Sequence, residues 1–523
     1  MSSSTNTPRK VVVIGGGPVG CLSAMAMAKM GWNVEVYEGR RDSRLDPKLA
    51  SGSLRSINLT ISSRGITALH AIDPGCADRF LDAAVPLHSR MIHHLNGRTT
   101  ATAYDRDGQA IHSIDRALLN ESLLDDAEAT PNIKLLFSHK VLSIDFDGRF
   151  MTVRDVNAKR DFTVDFDFCI GADGTYSTVR RQMMRVLRMD FHQEYIDHEY
   201  LELRAPAGTP QEPGGQPTFL LHPNHLHVWP RSSFMLIAQP NKNGTFTLTL
   251  FAPTAEFDRL RGPEVILPWF RENFPDALEV IGEASLLDCF ARNPRCPLIN
   301  IKANPYHYKD RVIILGDAAH AMVPFYGQGL NCGLQDVHVL AHLILSQGVD
   351  PNLHPSVGGL DTRLQRALEM YSLTRREDLH AITDFAMDNY LEMRDTVTKP
   401  IFYFKKALDN MLYSISTPSA STSMFSPTLL KTRPGLSKGD QIIPIPIQDP
   451  FPTKEPSGWL PMYTMVTFRH DISYGTVKRK AKKQAEILAL AANVGFAAAG
   501  ACALGLTYFS LWNQSGGAGI IAA

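Results

Sequence analysis

Val11 to Ile14 is a short β-branched run that ends in Gly15-Gly16-Gly17-Pro18-Val19-Gly20, and this junction constrains the chain most. Cys21 to Met30 is rich in helix formers, and Gly31 is placed to stop that helix. Asn33 to Tyr37 predicts a second strand, with Glu38 at its end. Strand, glycine turn, helix and strand together predict a Rossmann-like βαβ opening. Gly15 permits the tight turn, Gly17 lets backbone approach a pyrophosphate, and Gly20 lets helix and strand pack closely. The helix N-terminus offers free N–H groups to phosphates, and Glu38 is spaced to bond an adenosine ribose.

The 523 residues suggest about three domains. Lys plus Arg and Asp plus Glu each number 53, and this zero net charge argues against nucleic acid as a partner. Seven cysteines without a C-x-x-C pair suit a reducing compartment. Apolar runs separated by turn residues between Phe219 and Phe251 predict an antiparallel sheet, with Asn241-Lys242-Asn243-Gly244 as a hairpin turn. The expected class is α/β. A discontinuous dinucleotide-binding domain (10–75, 105–190 and 300–350) is interleaved with an antiparallel-sheet substrate domain (76–104 and 191–299). A C-terminal helical region covers 360–412 and 458–484, with Pro400 as a break. Prolines recur from Pro418 to Pro456, so 413–457 reads as an irregular Pro/Ser-rich insertion. Ile487 to Trp512 carries no charge and follows the basic collar Lys478, Arg479, Lys480, Lys482 and Lys483. About 20 apolar helical residues span a bilayer, so 487–512 is expected to be a transmembrane anchor with the body on the cytosolic side.

Two further motifs follow the βαβ opening. One is Gly171-Ala172-Asp173-Gly174, leading to Arg180. The other is Gly316-Asp317-Ala318-Ala319-His320, leading to Pro324-Phe325-Tyr326-Gly327-Gln328-Gly329-Leu330-Asn331. In this order the three motifs resemble the flavin-dependent aromatic hydroxylases. The resemblance implies FAD as cofactor and a nicotinamide nucleotide, NADPH, as transient co-substrate, since no second dinucleotide fingerprint is present. It implies FAD contacts from Gly15, Gly17, Gly20, Glu38, Arg40, Arg55, Arg116, Asp173, Asp317, Gly329, Leu330 and Asn331. Pro324, Phe325, Gly327, Gln328 and Gly329 are expected to line the flavin site. No acid–base residue and no metal is expected, because a flavin hydroperoxide carries the chemistry with dioxygen as oxidant.

Arg55-Ser56-Ile57-Asn58-Leu59, Arg90-Met91-Ile92-His93, Asn389 to Arg394 and Pro461 to Phe468 resemble the kynurenine-hydroxylating branch of that family. The resemblance implies L-kynurenine as substrate, 3-hydroxykynurenine as product, and a mitochondrial outer membrane location. Arg90 and Tyr104 are expected to hold the amino acid carboxylate, which suits a bidentate guanidinium. Asn389 and Tyr463 are further polar contacts, and Phe234 joins Phe325 and Pro324 as an aromatic wall. The ring's own amino group activates the ortho carbon, so a substrate-deprotonating base is dispensable. Two alternatives stand beside this reading: a tail-anchored flavin monooxygenase acting on a lipid, of squalene epoxidase type, and a non-catalytic flavoprotein redox scaffold. His222, His225 and His227 lack the Cys or carboxylate partners of a metal site, and His320 reads as structural.

Overall fold

The structure is a computed structural model that describes residues 7–45, 58–210, 212, 215, 217–355, 359–394, 397, 399–416 and 456–491. The βαβ opening forms as expected: strand Lys10–Ile14, helix Pro18–Lys29, strand Asn33–Glu38. Lys10–Ile14 sits near the middle of a six-stranded sheet. Asn33–Glu38 and Ile133–Phe137 lie on one side of it, and Phe168–Gly171, Val312–Ile314 and His307–Tyr308 on the other. All neighbours are parallel except the His307–Tyr308 edge. Val11, Val12, Val13, Ile170, Ile313 and Ile314 are fully buried, as strands covered on both faces must be. The glycine-rich turns therefore emerge together at the carboxyl ends of adjacent strands, where open α/β sheets bind ligands.

The second sheet has seven strands, in the order Cys296–Asn304, Asp190–Ala205, Phe246–Ala252, Phe234–Pro240, His225–Arg231, Ser89–His93 and Thr99–Ala103. Ser89–His93 pairs in parallel with His225–Arg231, and the other neighbours are antiparallel. Successive side chains point to opposite faces of a strand. Met235 and Phe251 accordingly join the large core shared with the dinucleotide domain. Leu236, Ala238, Leu248 and Leu250 join a separate outer core under the short helices between Thr254 and Arg292. The strand Phe150–Asp155 completes a small sheet with His139–Asp145 and Arg160–Asp165.

In the C-terminal region Thr362–Arg394 is one long helix. Pro400 opens a new helix, Pro400–Ser416, because a missing N–H is harmless in a first turn. Residues 413–416, assigned from sequence to the irregular insertion, are therefore helical, and the insertion from 417 to 455 lies outside the described residues. The helix Met462–Thr467 and a helix over 474–491 follow. The basic collar is partly engaged with the body: Lys478 bonds Asp384 at 2.7 Å, Arg479 pairs with Glu377, and buried Lys480 donates to the Pro456 carbonyl. Among the described residues no helix is long and apolar enough to cross a membrane. The expected anchor from 492 onward lies outside the described residues.

Candidate active site

A cavity of about 440 Å³ lies between the two sheets. Its dinucleotide half is lined by Gly15, Gly17, Glu38, Arg40, Arg116, Asp173 and Asp317. A Cβ on Gly20 would lie 1.9 Å from the Gly15 carbonyl oxygen, so that position has no room for a side chain. A Cβ on Gly17 would meet nothing within 4 Å, because this backbone faces open space at the N-terminus of the Pro18–Lys29 helix. Such a bare helix start is shaped for a pyrophosphate. Glu38 is tied to the turn, accepting from Gly16 N–H at 2.9 Å and Arg40 N–H at 2.9 Å. The Asp173 carboxylate accepts from Ser177 Oγ and from the N–H groups of Thr178 and Val179, so it caps its own helix while the residue lines the cavity. These features fit an FAD whose adenosine end lies toward Glu38. Arg55 lies outside the described residues.

The other half holds the substrate candidates. Arg90 lies on the sheet face that looks into the cavity, and Tyr104 and Tyr463 line it as well. Tyr463 is stacked between two rings: Tyr104 at 5.2 Å and 13°, and Tyr326 at 5.6 Å and 17°. Arg90 Nε, Tyr104 Oη and Tyr326 Oη are buried without a hydrogen-bond partner among the described residues. Buried polar groups are rarely left so, and three within one cavity point to a polar ligand. Burial works against the Arg90 charge, but Tyr104, Tyr463 and Glu392 around it outweigh burial and raise its pKa. Burial pushes Tyr104 up to about 12 against the pull of Arg90, so the phenol stays protonated.

Pro324, Phe325, Tyr326, Gly327, Gly329 and Leu330 line the cavity between the two halves. Two expected members of this loop do not. Asn331 Nδ2 donates to the carbonyls of Thr60 (2.9 Å) and Gly327 (2.7 Å), and its Oδ1 accepts from Ser62 N–H at 2.7 Å. Gln328 is buried, and its Oε1 accepts from the Tyr474 hydroxyl at 3.0 Å. Both brace the loop from behind. Asn389 does likewise, donating to the Phe325 carbonyl at 2.7 Å rather than lining the cavity.

Phe234 is misplaced by the sequence reading. It packs on Trp269 at 4.9 Å in the outer core, because its parity on the strand is that of Leu236 and Ala238. Ile237 and Gln239 carry the inward parity, and Phe251 is the aromatic wall, 4.8 Å from Phe325. Glu392 does not line the cavity, but its charge reaches Arg90, Tyr326, Tyr463 and Lys406.

The histidine clusters are accounted for by hydrogen bonds. His93 bridges Asp276 and His227, each at 2.9 Å, and His227 Nε2 donates to the His222 carbonyl. His320, Cys332 and Asp336 lie close enough for a metal, but Arg375 already pairs with Asp336 at 2.7 Å. His320 bonds Asp336 at 2.5 Å, directly under the Asp317 turn, in a structural position.

A dinucleotide cradle joined to a polar, aromatic pocket defines the class: an FAD-binding monooxygenase. Residues 9–347 match the family described as "FAD binding domain". A kynurenine 3-monooxygenase from Cryptococcus neoformans var. neoformans serotype D (strain B-3501A) is 40% identical over 512 residues, covering 94% of this chain and 95% of that one. Another from Candida albicans is 38% identical, covering 98% and 99%. The chain belongs to the kynurenine 3-monooxygenase family. Solved structures share the fold at low identity. One is 2-methyl-3-hydroxypyridine-5-carboxylic acid oxygenase, with a TM-score of 0.57, 19% identity, and coverage of 78% of this chain and 96% of that one. Another is P. aeruginosa PqsL in complex with 2-aminobenzoylacetate, with a TM-score of 0.57, 18% identity, and coverage of 74% and 97%.

Proposed function

We propose that this chain hydroxylates L-kynurenine to 3-hydroxykynurenine, using FAD, dioxygen and NADPH. The carrying observation is the set of unpartnered polar atoms on Arg90, Tyr104 and Tyr326 in a cavity that joins an FAD cradle. Kynurenine is a zwitterionic amino acid at one end and an aminophenyl ketone at the other. Its carboxylate suits Arg90 and Tyr104, whose polar atoms line the cavity. A guanidinium and a phenol grip a carboxylate, which a lipid of the squalene type does not offer, so the epoxidase alternative is disfavoured. Phe251, Phe325 and Ile237 supply apolar surface for the ring.

Bound FAD supplies the activated oxygen. Gly17 and the helix behind it would hold its pyrophosphate, Glu38 its adenosine ribose, and Asp317 with Gly327 and Gly329 its ring end. The chain's own part is to hold the aromatic carbon near the flavin and keep water out. The substrate's amino group activates the ring, so a base that deprotonates the substrate is dispensable.

A C-terminal membrane anchor over 487–512, on the mitochondrial outer membrane with the catalytic body in the cytosol, belongs to the same reading. The uncharged run from Ile487 to Trp512 supports it, as does the exposure of Ile487 (59%) and Leu490 (66%) on the last described helix. Deleting the residues after Lys483 is expected to release the enzyme into the soluble fraction. The function is tested by NADPH oxidation with and without L-kynurenine, with the product identified by mass spectrometry. No kynurenine-dependent acceleration would defeat it.

A further inference from the structure

The first turn of the Ser63–Ile72 helix caps a helix some four hundred residues away. Met462–Thr467 has six residues, too few to hold a helix unaided, and its last carbonyls have no partner within it. Ser63 Oγ donates to the Thr467 carbonyl at 3.0 Å. Arg64 Nε donates to the Val466 carbonyl at 2.8 Å. Arg64 Nη2 serves the carbonyls of Met465 at 3.3 Å, Arg469 at 3.0 Å, and Ile472. Arg64 is only 1% exposed and pairs with no carboxylate among the described residues. A buried guanidinium held wholly by carbonyls is unusual, and the partial negative charge of a helix C-terminus is what stabilises it here.

Arg64 also lies 4.0 Å over the Tyr474 ring, whose hydroxyl bonds Gln328 behind the flavin loop. One residue earlier, Ser62 N–H bonds Asn331, which holds the same loop. Three consecutive residues thus join the flavin loop to the short helix that carries Tyr463. We propose that Arg64 is a positioning residue for the substrate clamp: it sets Tyr463 against Tyr104 and in register with the flavin loop. This rests on the kynurenine reading above. A lysine cannot replace it, because one ammonium cannot reach carbonyls spread around a planar fork.

The test uses the full-length enzyme with FAD, in the variants Arg64→Lys, Arg64→Ala, Tyr463→Phe and Arg64→Ala/Tyr463→Phe. Flavin content and cooperative melting confirm folding. Both Arg64 variants are expected to raise the KM for kynurenine about tenfold or more, with kcat changed less than threefold, and to release more hydrogen peroxide per NADPH. Tyr463→Phe should add little to Arg64→Ala, because the ring is already misplaced. Millimolar methylguanidinium should lower the KM of Arg64→Ala by refilling the space. Effects of Arg64→Ala and Tyr463→Phe that multiply would overturn the proposal, as would a loss of kcat at unchanged KM. If Arg64→Ala does not fold, Arg64→Lys decides, and a wild-type KM in that variant overturns the proposal. A wild-type enzyme that ignores kynurenine overturns the function and this proposal together. A responsive wild type indistinguishable from Arg64→Lys overturns this proposal alone.

Discussion

Asn389 Nδ2 donates to the Phe325 carbonyl oxygen at 2.7 Å, joining the long Thr362–Arg394 helix to the loop that separates cofactor from substrate. The side chain is buried and also lies 3.3 Å from Met393 Sδ. Asn389→Leu leaves a buried carbonyl unsatisfied, at a cost of about 1–3 kcal/mol. The expected outcome is a lower melting temperature and more peroxide released per NADPH, with retained FAD. Calorimetry and a peroxide assay on one preparation check it.

Gly17→Ala and Gly20→Ala should fail differently. The Gly17 Cβ enters open space, so the chain should fold and melt normally but lose FAD affinity, read by flavin content after dialysis. The Gly20 Cβ would collide with the Gly15 carbonyl, so that variant should be poorly soluble. Equal behaviour of the two would contradict the cradle geometry.

Phe251→Ala and Phe234→Ala separate the two faces of one sheet. Either deletion costs about 3–5 kcal/mol where the side chain is fully buried, and less for half-buried Phe234. Only Phe251→Ala should raise the KM for kynurenine, because only Phe251 lines the cavity. Steady-state kinetics at matched flavin content decide it.

Asp336 sits between His320 and Arg375. Burial would raise its pKa, but those two neighbours pull it down to about 2 from an ordinary 3.8. A depressed carboxylate contributes stability that is fully present above the ordinary value and is lost as pH falls through about 2. Asp336→Asn should therefore lower the melting temperature at pH 6, with the difference shrinking in strong acid. Removing one partner of a buried pair costs about 3–5 kcal/mol. Melting curves across pH 2–8 check the sign.

Lys406 on the Pro400–Ser416 helix donates to the Ala103 carbonyl beside Tyr104 at 2.9 Å. Burial, then repulsion from Arg90, lowers its pKa to about 8, with Glu392 opposing. Its positive charge near the carboxylate site is therefore lost as pH rises through about 8. The KM for kynurenine should rise across that range, and Lys406→Met should flatten this limb. A pH–KM profile of both proteins checks it.

The dinucleotide cradle was legible because its information is local. A strand, a glycine turn, a helix and an acid within thirty residues suffice, since each glycine answers a steric demand of its near neighbours. Arg90, Tyr104 and Tyr463 were named from resemblance, and they do converge on one cavity. What could not be read was orientation. Phe234 and Phe251 look equivalent along the chain, and only strand pairing tells which parity faces the cavity. Asn331, Gln328 and Asn389 sit in the expected motifs, yet their amides bond the loop's supports, because a buried amide takes whichever partners the packing presents. Arg64 carried no signal at all. Its role depends on four carbonyls far along the chain, and helix ends meet such distant donors only once the tertiary fold has closed.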